Sequence, residues 1–136
     1  MGGAAGSVNL LAVVIAALSA FALGGAWYAP VLFGKAWQAE LKLSDDDLKN
    51  ANMAKIFGGS FALSLIAAYV FAMFLGPSPG IGFGLGAGLS AGLFWVAASL
   101  GINYLFERKS LKLFLINGAY HTVQFTLYGL IIGWMQ

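Results

Sequence analysis

Ile56-Phe57-Gly58-Gly59-Ser60 opens a run that continues as FALSLIAAYVFAMFLGPSPGIGFGLGAGLSAGLFWVAASLGINYLF and closes at Phe106. Its 51 residues contain no Asp, Glu, Lys or Arg. A helix needs about 20 apolar residues to cross roughly 30 Å of hydrocarbon, so the run holds two spans and a turn. Gly76-Pro77-Ser78-Pro79-Gly80 supplies the turn, because clustered prolines and glycines break helices.

Outward from this run lie two charged windows, Lys35 to Lys55 and Glu107 to Lys112, which hold every Lys, Arg, Asp and Glu of the chain. Beyond them, residues 1–34 and 113–136 are again free of charge. The reading is an all-α polytopic membrane protein, a bundle of four transmembrane helices near 8–30, 53–75, 81–104 and 112–134 in a single membrane domain over 1–136. The composition agrees. Of 136 residues 60% are hydrophobic and 9% charged, with mean hydropathy +0.85, whereas about 25% of a soluble domain is charged. That supply of charge argues against a soluble enzyme, a nucleic-acid binder or a disordered tail. The pI near 9.0 comes from an excess of two positive charges and does not indicate nucleic acid. Without cysteine, neither a disulfide nor a thiolate metal site is available.

Lys/Arg bias sets orientation. Lys35, Lys42, Lys49 and Lys55 fall in the first loop and Arg108, Lys109 and Lys112 in the third, with none elsewhere. Loops 31–52 and 105–111 are therefore expected in the cytoplasm and both termini outside. Residues 1–25 lack the basic opening of a secretory signal and are expected to stay as the first span. Trp27, Tyr28, Trp37, Tyr104 and Trp134 read as interfacial anchors.

Within the first loop, Leu32, Phe33, Trp37 and Leu41 recur at helix-like spacing, as in a short interfacial helix or a loop pinned by aromatic anchors. Ser44 followed by Asp45-Asp46-Asp47 reads as an N-cap with an acidic variant of the capping box, Ser44 paired with Asp47. The second long helix is expected to start near Asp45 and enter the membrane near Met53. Consecutive carboxylates diverge by about 100° on a helix, so they converge poorly on a cation, and no metal site is expected.

Gly80, Gly84, Gly88 and Gly92 recur every four residues, and Gly82, Gly86 and Ser90 form a second row. Such rows let helix backbones approach closely in membranes. They predict a helix-packing interface, either inside the bundle or with another chain. Similar rows stand at Ala12, Ala16, Ala20 and Gly24, and at Ser60, Ser64, Ala68 and Ala72.

The last helix carries Asn117, His121, Gln124 and Tyr128, which fall within about 60° of one another at 100° per residue. His121 lies about 13 Å beyond Lys112 along the axis, near mid-membrane. Polar groups there face the bundle interior and often mark function. Three roles stand open. The stripe hydrogen-bonds to Ser60, Ser64, Ser99 or Asn103; or it lines a polar cavity in which His121 exchanges protons; or His121 ligates a haem or other pigment. The first leads, and no cofactor is expected. No triad, carboxylate pair or zinc motif is present, so no enzymatic activity and no catalytic residue is expected.

Trp27-Tyr28, Pro30, Phe33-Gly34-Lys35 and Trp37 form the first of three recognisable stretches. Ala51-Asn52-Met53-Ala54-Lys55 is the second, and Asn103-Tyr104-Leu105-Phe106-Glu107 with Leu111 through Ile116, Gly118, Tyr120 and His121 the third. Their order and spacing resemble a family of small bacterial four-helix inner-membrane proteins catalogued as a domain of unknown function. The resemblance implies a bacterial inner-membrane location and no particular activity. A faint echo between Lys55-Ile56-Phe57 and Lys112-Leu113-Phe114 fits two duplicated hairpins. The leading expectation is a non-enzymatic helix-packing or accessory subunit of a membrane assembly, whose partners are the lipid bilayer and other membrane subunits or a second copy. The alternative is a small homo-oligomeric transporter or channel with a polar site around His121.

Overall fold

The computed structural model describes residues 4–136. After a short 3-10 turn at Ala4–Ser7 come α1 (Leu10–Trp27), α2 (Gly34–Glu40), α3 (Asp45–Lys49), α4 (Met53–Leu75) and α5 (Ile81–Ser90). A π-helical stretch, Ala91–Ala97, joins α5 to α6 (Ala98–Glu107), and α7 (Leu111–Met135) completes the chain. Among the described residues there is no strand.

Three helices are long and apolar enough to cross a membrane: Leu10–Trp27, Met53–Leu75 and the continuous rod Ile81–Glu107. Only three of the four expected spans therefore meet this measure. The last helix, α7, does not, because Asn117, Tyr120, His121 and Gln124 dilute its apolar character. Its position explains how it carries them. α1, α4, α5, the π stretch, α6 and α2 all pack on α7. A helix enclosed by neighbours does not need an apolar perimeter, since its polar side chains meet protein rather than hydrocarbon.

Tertiary hydrogen bonds define two ends. At one, Trp27 Nε1 donates to the Ile116 carbonyl at 2.9 Å and the Ser110 hydroxyl contacts the Glu40 carboxylate. The loop after α1 and the turn before α7 thus lie together, and every charged side chain of the chain is in or beside them. At the other end, Asn9 Nδ2 donates to the Met135 carbonyl at 3.0 Å. There Gln136 Nε2 donates to the carbonyls of Ala72 and Gly76 at 2.9 and 2.7 Å. This end has no charged side chain. The bundle is electrically one-sided because the charged segments alternate with uncharged ones along an antiparallel path.

Gly34 fixes the turn after α1. Gly34 N–H donates to the Ala29 carbonyl at 3.0 Å, and a Cβ on Gly34 would stand 2.3 Å from the Tyr28 carbonyl oxygen. Only glycine fits so close a backbone approach. Ser44 and Asp47 form a reciprocal capping box: Asp47 N–H donates to Ser44 Oγ at 3.0 Å, and Ser44 N–H donates to Asp47 Oδ2 at 2.8 Å. The expected continuous helix from Asp45 into the membrane is instead two helices. α3 stops at Lys49, and Asn52 caps α4 afresh by accepting from Lys55 N–H at 3.1 Å. Asn at a cap competes with continued helix through its own side chain, and this breaks the path.

The Ser44 backbone N–H, then the Ser44 hydroxyl, hold the Asp47 carboxyl below its ordinary range. A lowered folded-state pKa contributes stability above the unfolded value and loses it as pH falls through the lowered one. Amide exchange at Ser44, whose N–H the Asp47 carboxylate accepts, is therefore expected to be slowed at neutral pH and to lose that protection only under acid conditions. Ser44→Ala is expected to remove the Asp47 protection at every pH, as exchange measured by mass spectrometry would show.

Candidate functional site

Two features of α7 give the bundle its character. The first is a seam of small residues against the preceding rod. A Cβ on Gly84 would meet the Gly129 carbonyl oxygen at 2.1 Å, and one on Gly129 would meet the Gly84 oxygen at 1.8 Å. One on Gly88 would meet the Phe125 oxygen at 2.1 Å, and one on Gly133 the Gly80 oxygen at 2.6 Å. Here two antiparallel backbones touch with nothing between them. The row Gly80, Gly84, Gly88 and Gly92 thus faces α7 inside the chain. Gly129 and Gly133 form the other half of the seam, a pair spaced by four that is visible in the sequence but overlooked in its reading.

The π stretch serves this seam. A Cβ on Gly92 would meet the His121 oxygen and the Thr122 Cα at 2.8 Å. Farther on, the Ala97 Cβ lies 3.5 Å from the Cβ position of Gly118, and Gly101 lies under the Phe114 ring. The contact positions run 80, 84, 88, 92, then 97 and 101. One step of five replaces a step of four, and the wider π turn at Ala91–Ala97 absorbs the extra residue. Without it, the small-residue face would rotate off α7 halfway along.

Gly82 and Gly86 behave differently. Nothing lies within 4 Å of a Cβ on either, and both are exposed. With Ser90 they floor an open groove of about 560 Å³ walled by Phe74, Phe83, Phe94 and Trp95. Of the two glycine rows expected to pack against helices inside the bundle or in another chain, one is a closed seam and the other an open groove.

The second feature is the polar stripe. His121 Nδ1 lies 2.6 Å from Gln124 Oε1, and Gln124 Nε2 donates to Tyr128 Oη at 2.7 Å. Tyr128 Oη lies 2.5 Å from Ser64 Oγ on α4, and Ser64 Oγ donates to the Ala17 carbonyl of α1 at 3.5 Å. Tyr128 and Gln124 are buried, with Tyr128 at 0% exposure, while His121 is half-buried at the chain's end. An amide oxygen only accepts, so with Gln124 placed this way the contact needs an N–H at His121 Nδ1.

Asn117 is not part of that chain. It accepts from Tyr28 Oη at 2.6 Å and donates through Nδ2 to Tyr104 Oη at 2.7 Å. Tyr28 and Tyr104, read as anchors, thus clamp Asn117 between them. Tyr28 packs edge-on against Trp37 at 5.5 Å, and Tyr120 Oη donates to the Ala20 carbonyl at 3.1 Å. Of the four partners expected for the stripe, Ser64 bonds to it, whereas Ser60, Ser99 and Asn103 are exposed. Trp134, also an expected anchor, is 72% exposed at the uncharged end.

The fold defines an all-helical protein with three membrane-compatible helices around a polar-striped fourth. A family model described as a protein of unknown function, DUF1761, matches residues 11–133. The chain belongs to that family, as the stretches from Trp27 to His121 indicated. No curated protein and no solved structure matches the chain.

Proposed function

We propose that the chain is a four-span bundle of the bacterial inner membrane that acts as a non-enzymatic accessory subunit, docking one transmembrane helix of another membrane protein. The observation that carries this is the difference between the two glycine rows. The closed row shows what such spacing does when it meets a helix of small residues. The open row has the same spacing, is floored by Gly82, Gly86 and Ser90, and is framed by aromatic side chains from both α4 and the rod. A helix bearing its own small-residue row fits it by the same backbone contact. In this reading α7 is the fourth span, the charged loops are cytoplasmic under the Lys/Arg rule, and both termini are outside.

The test is purification in mild detergent with identification of what accompanies the chain. A stoichiometric membrane partner that is lost with Gly86→Leu but retained with His121→Ala supports docking at the groove. Gly86→Leu should leave the monomer folded, because a side chain there meets open space. A partner retained with Gly86→Leu, or a complex of identical chains, overturns the reading.

The half-buried His121 at the open end of a hydrogen-bonded chain favours one second reading, a homo-oligomeric transporter. It predicts pH-dependent flux in liposomes that His121→Ala abolishes.

A further inference from the structure

A second crevice, of about 380 Å³, lies at the charged end between α6 and α7. Gly101 forms its floor beneath the Phe114 ring, Leu105 and Leu111 its sides, and Lys109 and Ser110 its mouth. Along α6 its lining runs from Ala98 to Leu105, about 10 Å of helix axis, and the turn beyond carries Lys109 back over it. The mouth is built by the turn at Arg108, which has left-handed backbone (φ 59°) and reverses the chain within three residues. Arg108, Lys109 and Lys112 all fall within five residues of chain at that turn, next to Glu107. The Glu40 carboxylate lies at the same rim against the Ser110 hydroxyl, so the lysine and arginine charges there outnumber the carboxylates by one.

We infer that this crevice is a binding site for an anionic phospholipid, with an acyl chain along Gly101 and Phe114 and the phosphate at Lys109. The inference rests on the membrane reading above and not on the accessory role. Its two parts fit one molecule and not its components: an open apolar slot lined by Gly101, Leu105, Leu111 and Phe114, with the Lys109 cation at the end that carries the charged loops. A zwitterionic lipid satisfies the slot but gains less from the mouth.

The test uses the full chain reconstituted in vesicles of equal phosphatidylglycerol and phosphatidylcholine, released for native mass spectrometry. The ratio of the two lipids in the singly lipid-bound species is the readout. The wild type is expected to favour phosphatidylglycerol by about fivefold, the effect of one surface lysine. Lys109→Gln should bring the ratio close to one. Ala98→Phe, at an exposed position, should reduce retention of both lipids. Lys35→Gln, in the other charged loop, should leave the ratio unchanged. Equal loss with Lys35→Gln and Lys109→Gln would show diffuse attraction and overturn the site, as would an unchanged ratio with Lys109→Gln. A chain that enters vesicles but shows no preference sinks this inference alone. A chain that stays outside vesicles sinks the membrane reading with it.

Discussion

Gly129→Leu is expected to separate α7 from α5 and unfold the bundle, whereas Gly82→Leu, two residues from Gly84 of the same seam, leaves it folded. At Gly129 even the first added carbon would stand 1.8 Å from the Gly84 carbonyl oxygen. The atom in the way belongs to backbone, so no side-chain rotation relieves the clash. The two helices must move apart along their whole contact, and the neighbouring approaches at Gly88 and Gly133 are lost together. Overpacking costs about 1–3 kcal/mol where side chains can yield, and this site belongs at or above the top of that range. A loss of about 3 kcal/mol lowers the folding equilibrium by more than a hundredfold. Unfolding by sodium dodecyl sulfate in mixed micelles, followed by helical circular dichroism and by protease resistance, measures it. Gly84→Leu should behave like Gly129→Leu, because the two positions oppose each other. A Gly84→Leu chain as stable as wild type would mean that the seam does not hold the bundle together.

Much of this architecture was legible because charge is confined to two windows. Absence of charge marked the rod and its Gly-Pro turn, and α4 has the bounds Met53–Leu75 that were read for the second span. The capping pair Ser44 and Asp47 followed from local chemistry alone. Three features were not legible, each for a physical reason. The break between α3 and α4 depends on Asn52 choosing a cap over continued helix, and local propensity does not decide that. The π stretch exists because the seam must stay on α7 past Gly92, a constraint set by a helix that comes later in the chain. The stripe is one polar face in projection, but its residues find different neighbours at different depths: Asn117 meets Tyr28 and Tyr104, while Tyr128 meets Ser64. Periodicity places residues on a face and says nothing of which helix covers each level of it.

Tyr128 is where the stripe matters most for stability, and two substitutions separate its contributions. Tyr128→Ala removes a ring that is fully buried between α1, α4 and α7 and packs against Phe125 at 5.0 Å. In a bilayer the transfer part of the loss shrinks, since the ring would otherwise meet hydrocarbon, but the cavity remains. The cost is expected near the low end of aromatic truncation, about 3 kcal/mol. Tyr128→Phe keeps the ring and leaves Gln124 Nε2 and Ser64 Oγ without their shared partner. Buried groups left unpaired cost about 1–3 kcal/mol in water-soluble proteins, and less in membranes, where the unfolded chain also finds partners. About 1 kcal/mol is expected. Replacing the whole chain at once, His121→Leu with Gln124→Leu, Tyr128→Phe and Ser64→Ala, should cost less than the sum of its parts, because no polar group is stranded. That apolar variant also divides the two functional readings. If it folds and keeps its partner at the Gly82–Gly86 groove, the polar chain is a structural tie between α4 and α7. If it folds and loses pH-dependent flux, His121 and its hydrogen-bonded line are the site.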